Sequence, residues 1–247
     1  MYFEPYLILA SIGALLIGMS KGGLPMVSMM AVPLLSTVMS PVKAVVLLLP
    51  LFIISDFVGV WLYRRQFSTV NLKILIPASV VGVCIGWLTA SMISDQTIKF
   101  MIGLMGLSFC LQTWLRRGQS EEPQPARKLK GYFWGSLAGF TSFISHAGGP
   151  PFQIYVLPQK LPKAQFAGTA TILFACINLS KIVPYQNLSP YSQEDLMKAA
   201  ALVPMAFLGT LTGAFLTRRI NDAWFYKLVQ TGLFVVSCKL IWDATRY

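Results

Sequence analysis

An apolar stretch interrupted by glycine and proline occurs twice in this chain, and hydrocarbon tolerates few folds that contain such a break. The first copy reads Ser20-Lys21-Gly22-Gly23-Leu24-Pro25 and the second Ser145-His146-Ala147-Gly148-Gly149-Pro150. Ser20, Gly23, Pro25 and Pro33 recur 125 residues later as Ser145, Gly148, Pro150 and Pro158. A Gly-Gly-Pro interruption frees backbone N–H and C=O groups that a bilayer interior leaves unsatisfied. Such breaks persist where they line a polar cavity, and a matched pair in two sequence halves points to a transporter's binding site. The plainer alternative is a pair of proline kinks in packed helices, which need neither a Lys nor a His at matching positions.

The surroundings of the breaks decide the fold class. Six unbroken apolar runs (44–63, 74–93, 97–115, 164–183, 197–217 and 224–242) and two longer broken ones (6–38 and 131–157) fill the chain. Each unbroken run has the roughly 18 to 25 residues that a helix needs to cross a bilayer. Only 12% of residues are charged and 55% are hydrophobic, about half the charged fraction of a soluble domain. The pattern is helical or unbroken rather than alternating, which argues against an outer-membrane barrel. The expected fold is an all-α polytopic integral membrane protein. No Lys or Arg precedes the first apolar run, so residues 1–19 read as part of the mature fold rather than a cleavable signal. The net charge of +11 comes from basic residues in short loops and reflects membrane topology, not nucleic-acid binding. Cys84, Cys110, Cys176 and Cys238 stand singly in apolar segments and read as small buried residues rather than metal ligands or disulfides. No metal and no cofactor is expected.

The repeat extends beyond the breaks. Phe52 and Asp56 match Phe174 and Asn178 at a spacing of 122; Pro77, Gly82, Gly86, Ile93 and Asp95 match Pro204, Gly209, Gly213, Ile220 and Asp222 at 127. Two halves follow, 1–115 and 131–247, each a broken, re-entrant helical hairpin plus three transmembrane helices. Residues 116–130, polar and basic with Pro123 and Pro125, form a cytoplasmic linker between them. Loop charges point to inverted repeats. The loop at 64–73 carries Arg64, Arg65 and Lys73, but its counterpart at 185–195 carries Glu194, Asp195 and no basic residue. Near Asp95 the only basic residue is Lys99, whereas the equivalent loop holds Arg218 and Arg219. Equivalent loops of opposite character are what inversion requires when positive loops stay inside.

With these features the chain resembles the sulfite exporter TauE/SafE family of membrane transport proteins. The resemblance covers nearly the whole chain and rests on the paired glycine motifs, the run from Ser145 through Pro158, the Gly168-Thr169-Ala170 segment and the two-half layout. It implies movement of sulfite, or of other sulfur-containing or small organic anions, across the bacterial inner membrane. Where the family's first motif often reads Gly-Phe-Gly-Gly-Gly, this chain has Ser20-Lys21-Gly22-Gly23.

An oxyanion at the membrane midplane needs N–H donors, positive potential and no nearby carboxylate. Half-helix N-termini supply the first two, and glycines allow the closest backbone approach. Gly22, Gly23, Gly148 and Gly149 suit this role, with Ser20 and Ser145 as matched hydroxyl donors, and the two breaks are expected to meet in one site. Lys21, deep in its apolar run, either holds the anion or snorkels to water. His146, the only histidine, is either a titratable donor or a hydrogen-bonded structural residue. Asp56 is the only acidic residue deep in an apolar run. It is read as neutralising Lys21, with proton coupling and simple packing left open. Its mate Asn178 is neutral, and Lys181, one turn later, adds positive potential or snorkels.

The leading reading is a secondary transporter whose partners are a small anion and the bilayer; self-association into a homo-oligomer stays open. No Walker-type motif for ATP-driven transport is present. One His, one intramembrane Asp and four dispersed Cys make a poor enzyme site, so no enzymatic activity is expected. Another small anion (thiosulfate, a sulfonate, a carboxylate), a passive anion channel and a non-transporting scaffold are the alternatives.

Overall fold

A computed structural model of the chain describes residues 4–25, 27–35, 39, 41–89, 94–115, 122–188 and 190–246. Every regular element among them is helical: α1 (Glu4–Lys21), α2 (Ala31–Leu35), α3 (Pro41–Tyr63), α4 (Thr69–Thr89), α5 (Asp95–Leu115), α6 (Lys128–Ser145), α7 (Gly149–Val156), α8 (Lys163–Ser180), α9 (Ile182–Leu188), α10 (Gln193–Arg219) and α11 (Asp222–Thr245). Short 3-10 turns at Val27–Met30 and Leu157–Gln159 precede α2 and follow α7. Residues 116–121 of the expected linker, and Ile93 of the repeat, lie outside the described residues. Residues 122–127 are irregular, and Lys128 already opens α6.

Three helices among the described residues are long and apolar enough to cross a membrane: α3 over Val46–Tyr63, α4, and α10. The bent pair α8–α9 makes a fourth if taken as one span. That bend revises the sequence reading, which took 164–183 as unbroken. The pair turns by 41° at Lys181. Pro184 gives the reason, since it has no N–H to offer the Ser180 carbonyl one turn earlier. Large apolar side chains face outward, among them Val81, Ile85 and Leu88 on α4 and Phe207, Leu211 and Phe215 on α10. A contiguous apolar exterior of this kind suits lipid and would aggregate in water. The cysteines divide accordingly: Cys110 is buried, Cys176 half-buried, and Cys84 and Cys238 are exposed rather than interior.

The helices form two compact units, each drawing on both sides of the linker. The first comprises Met1–Thr69 and Lys163–Asn221, the second Val70–Pro162 and Asp222–Tyr247. In the first unit α1 runs parallel to α10, because Leu15, Gly18, Met19 and Gly22 meet Gly209, Ala206 and Thr210, Gly213, and Ala214 in rising order. Both helices carry a Gly-x-x-x-Gly face, Gly18/Gly22 and Gly209/Gly213, which lets backbones touch where lipid gives apolar side chains no reason to associate. A Cβ on Gly22 would stand 2.5 Å from the Ala214 backbone nitrogen. Also in this unit, α3 and α8 are antiparallel: Asp56 meets Asn178, Gly59 meets Thr171, and Tyr63 and Gln66 meet Gly168.

The second unit repeats the scheme. Here α4 runs parallel to α6, with Gly82 against Ser136, Gly86 against Phe143, and Gly135 and Gly139 against Ala78 and Ser79. Helices α5 and α11 are antiparallel, Gly103 facing Ile241, Gly106 facing Ser237, and the Cys110 thiol donating to the Gln230 carbonyl. Capping marks the ends of α10. The Ser192 hydroxyl accepts from the Asp195 N–H at 3.1 Å while the Asp195 carboxylate accepts from the Ser192 N–H at 3.2 Å. Arg218 and Arg219 close its last turn, where cations complement the helix dipole.

These contacts make the glycine faces a stability test. Gly82→Val and Gly209→Val place a side chain into the Ser136 and Leu15 carbonyls. Each is expected to destabilise the protein by about 1–3 kcal/mol, read as a lower melting temperature in detergent. Cys84→Val, on the exposed side of α4, should leave the melt unchanged.

Candidate functional site

At the first break α1 ends because two glycines and Pro25 follow Lys21. The Gly22 N–H donates to the Gly18 carbonyl at 3.0 Å, the Gly23 N–H to Ser20 at 3.3 Å, and the Leu24 N–H reaches back to Met19 at 3.3 Å. Gly23 has φ +118°, a conformation that L side chains rarely adopt. The Gly22 carbonyl accepts the Tyr63 hydroxyl at 2.6 Å. The expectation that Gly22 and Gly23 offer N–H donors to an anion is therefore corrected. They close the C-terminus of a helix, their N–H groups are engaged, and Gly22 is fixed by the approach of α10. The serines are corrected likewise: Ser20 donates to the Ile17 carbonyl at 2.8 Å and Ser145 to Thr141 at 3.4 Å, each within its own helix.

Lys21 caps that C-terminus, where a cation is favoured. It is 4% exposed, so it does not snorkel. Its Nζ lies 2.8 Å from Asp56 Oδ1 and stands over the rings of Phe52 and Phe174, 5.2 and 5.5 Å from their centroids. The other Asp56 oxygen accepts the Asn178 amide N–H at 2.7 Å, and the Asn178 carbonyl accepts Lys181 Nζ at 3.4 Å. Lys181 is fully buried at the α8–α9 bend, so snorkelling is excluded for it too. Thr171 donates to the Lys21 carbonyl at 3.3 Å. Gly59 lets α3 pass close to that residue, since a Cβ there would meet the same carbonyl at 2.8 Å.

The cluster is built from repeat mates. Phe52 and Phe174 cover one ammonium, and Asp56 and Asn178 bond to each other across antiparallel helices. Four of the expected site residues, Lys21, Asp56, Asn178 and Lys181, come together in this way. The pairing of Asp56 with Lys21 is as the sequence suggested. Phe52, Phe174, Tyr63 and Thr171 were not foreseen as site residues. The matched phenylalanines carried a signal, because each stands one turn before the polar residue of its own half, Phe52 before Asp56 and Phe174 before Asn178.

The second break belongs to the second unit. There α6 ends at Ser145, and His146 takes the left-handed conformation (φ 52°, ψ 22°). Its N–H bonds the Ser142 carbonyl at 3.0 Å, and the Ala147 N–H reaches Thr141 at 3.3 Å. Gly148, the mate of Gly23, has an ordinary φ of −74°. The strained position has thus moved from glycine to histidine, one of the few non-glycine residues enriched there. Gly148 and Gly149 do stand at a helix N-terminus, that of α7. Pro150 and Pro151 fill its first turn, where no N–H is missed.

A comparison with curated proteins and one with solved structures each return no match. The family model described as sulfite exporter TauE/SafE matches residues 9–240, from the second turn of α1 to the last turns of α11. With nearly all of the chain and both breaks inside that match, the protein belongs to the sulfite exporter TauE/SafE family, a family of membrane transporters.

Proposed function

We propose that this protein is a secondary transporter that exports a small sulfur-containing oxyanion, foremost sulfite, across the bacterial inner membrane. Family membership supports the transport of sulfur anions. The observation that carries the site is the buried Lys21–Asp56 pair beside the first break. An ammonium at membrane depth costs on the order of 3 kcal/mol or more unless paired or hydrated. Asp56 is the counter-ion of the empty site, and an incoming oxyanion exchanges for it, so Lys21 is never left alone in a dry surrounding. The Phe52 and Phe174 faces hold the ammonium in place while its anion changes. Export needs no nucleotide, because an interior-negative potential favours outward anion movement by about 2.3 kcal/mol per charge per 100 mV.

In the second unit, the start of α7 offers the backbone N–H groups of Gly148 and Gly149 and the positive end of its dipole to a small anion. The halves are inverted repeats. Support comes from matched helices that run antiparallel, α3 with α8 and α5 with α11, whereas rotation about the membrane normal would leave mates parallel. Each hairpin helix also lies parallel to the second span of the opposite half, α1 to α10 and α6 to α4.

Proteoliposomes with sulfite inside and an imposed potential test the function. Saturable efflux with counterflow is expected, and non-saturating flux would mark a channel instead. Lys21→Ala strands a buried carboxylate, which costs about 3–5 kcal/mol, so the informative variant is Lys21→Met combined with Asp56→Asn. It should fold and lose transport by about tenfold or more, while Lys21→Arg keeps part of it. Wild-type flux from the folded double variant would return the pair to a purely structural role.

Gly148 is the cleaner probe of the second break, because its backbone angles suit any residue whereas Gly23 would unfold around a side chain. Gly148→Val is expected to keep its melting temperature within a few degrees and lose sulfite binding. A folded variant that binds normally would exclude the α7 N-terminus from anion binding.

A further inference from the structure

Ser55 on α3 carries a polar group that the buried ion pair beside it does not use. The residue is 1% exposed, and its Oγ finds no hydrogen-bond partner among the described residues. Other buried helical hydroxyls of this chain bond back to their own helix: Ser20 to the Ile17 carbonyl, Ser79 to Ile76 and Thr210 to Ala206. The Leu51 and Phe52 carbonyls one turn earlier offer Ser55 the same bond, and its Oγ takes neither. A buried hydroxyl in that state has lost its water without replacement and calls for a reason.

Helix periodicity places it at the ion pair. Phe52, Ser55, Asp56 and Gly59 are buried along one stripe of α3, whereas Ile54, Phe57 and Trp61 are exposed. Ser55 lies one turn after Phe52 and one turn before Gly59, and both of these meet Lys21. The Phe52 ring faces the ammonium, and a Cβ on Gly59 would come within 3.2 Å of the lysine Cβ. Packing alone does not demand a hydroxyl here. At the spacing that matches Asp56 with Asn178, Ser55 matches Ile177 on α8, which is fully buried and wholly apolar.

We propose that Ser55 is a specificity-determining residue of this site: its hydroxyl donates to the third oxygen of a sulfur oxyanion, so the site favours three-oxygen sulfur anions over carboxylates. The inference rests on the reading of the Lys21–Asp56 pair as the anion site. The Asp56 carboxylate has two oxygens, one on the Lys21 ammonium and one on the Asn178 amide. An anion that takes its place meets the same two donors with two oxygens. A carboxylate is then complete, whereas a sulfite or sulfonate has one oxygen left, and the neighbouring hydroxyl supplies its donor. Ser55 is therefore paired only in the loaded site and adds affinity without stabilising the empty protein.

Methanesulfonate and acetate are the probes, both methyl-bearing monoanions, with three oxygens and two. Their binding to the purified full chain in lipid nanodiscs is measured by titration calorimetry at fixed ionic strength. The wild type is expected to bind methanesulfonate about tenfold more tightly than acetate. Ser55→Ala should keep its melting temperature, lose about tenfold in methanesulfonate affinity and leave acetate unchanged, which brings the ratio near one. An unchanged ratio in folded Ser55→Ala overturns the proposal, as does wild-type binding of acetate as tight as that of methanesulfonate. Should Ser55→Ala fail to fold, Ser55→Cys, whose thiol is a weak donor, is read in the same way. If the wild type binds neither anion, or if Lys21→Met with Asp56→Asn binds methanesulfonate as the wild type does, the anion-site reading falls and the role of Ser55 with it. If binding depends on Lys21 while the ratio ignores Ser55, only the role of Ser55 falls.

Discussion

Helices in a bilayer gain little from hiding apolar side chains against one another, because lipid tails are equally apolar. What holds these units together is backbone laid on backbone. Gly18 and Gly22 on α1 interlock with Gly209 and Gly213 on α10, and the α4–α6 pair does the same through Gly82, Gly86, Gly135 and Gly139. Close approach maximises dispersion contacts and leaves room for almost no variation in register. The end of α1, and with it Lys21, is therefore held at a fixed height against α10. From there the ammonium reaches Asp56 on α3 and stands against Phe174 on α8.

The polar cluster is then a consequence of the packing, and its cost is contained by geometry. A buried ion pair contributes little net stability because desolvation offsets attraction. Here the remaining valences are met: Asn178 completes the carboxylate, Thr171 bonds the Lys21 carbonyl, and Tyr63 bonds the carbonyl of Gly22. A polar device inside a membrane domain is stable only when such groups are satisfied. Lys181, seated on a helix bend, donates to the Asn178 carbonyl at 3.4 Å.

How much of this was readable from the chain differs from residue to residue. The breaks announce themselves, since glycine and proline interrupt a helix, and α1 and α6 end within them, at Lys21 and Ser145. A lone carboxylate in an apolar run needs a cation, so the Asp56–Lys21 pair was legible too. Which backbone each glycine faces was not. Gly22 looks like a ligand-binding glycine in one dimension, yet it is needed by the α10 backbone lying against it. The swap of the left-handed position from Gly23 to His146 was equally hidden, because sequence alignment matches residues and not torsion angles. The bend at Lys181 had its signal in Pro184, masked by the hydrophobicity around it.

The parallel pairing of α1 with α10 also has a consequence for biosynthesis. Leu15 must wait for Gly209, about 190 residues later in the chain. At synthesis rates of roughly 5–20 residues per second that is an interval of about 10 to 40 s. Throughout it the first helix has no glycine surface to lie on. Asp56 arrives early, but Asn178 and Phe174 arrive only with the second half. A nascent chain therefore carries an exposed glycine ridge and a half-assembled ion cluster through most of its insertion. A membrane insertase or chaperone that shields small-residue helix faces would find its natural client in this interval.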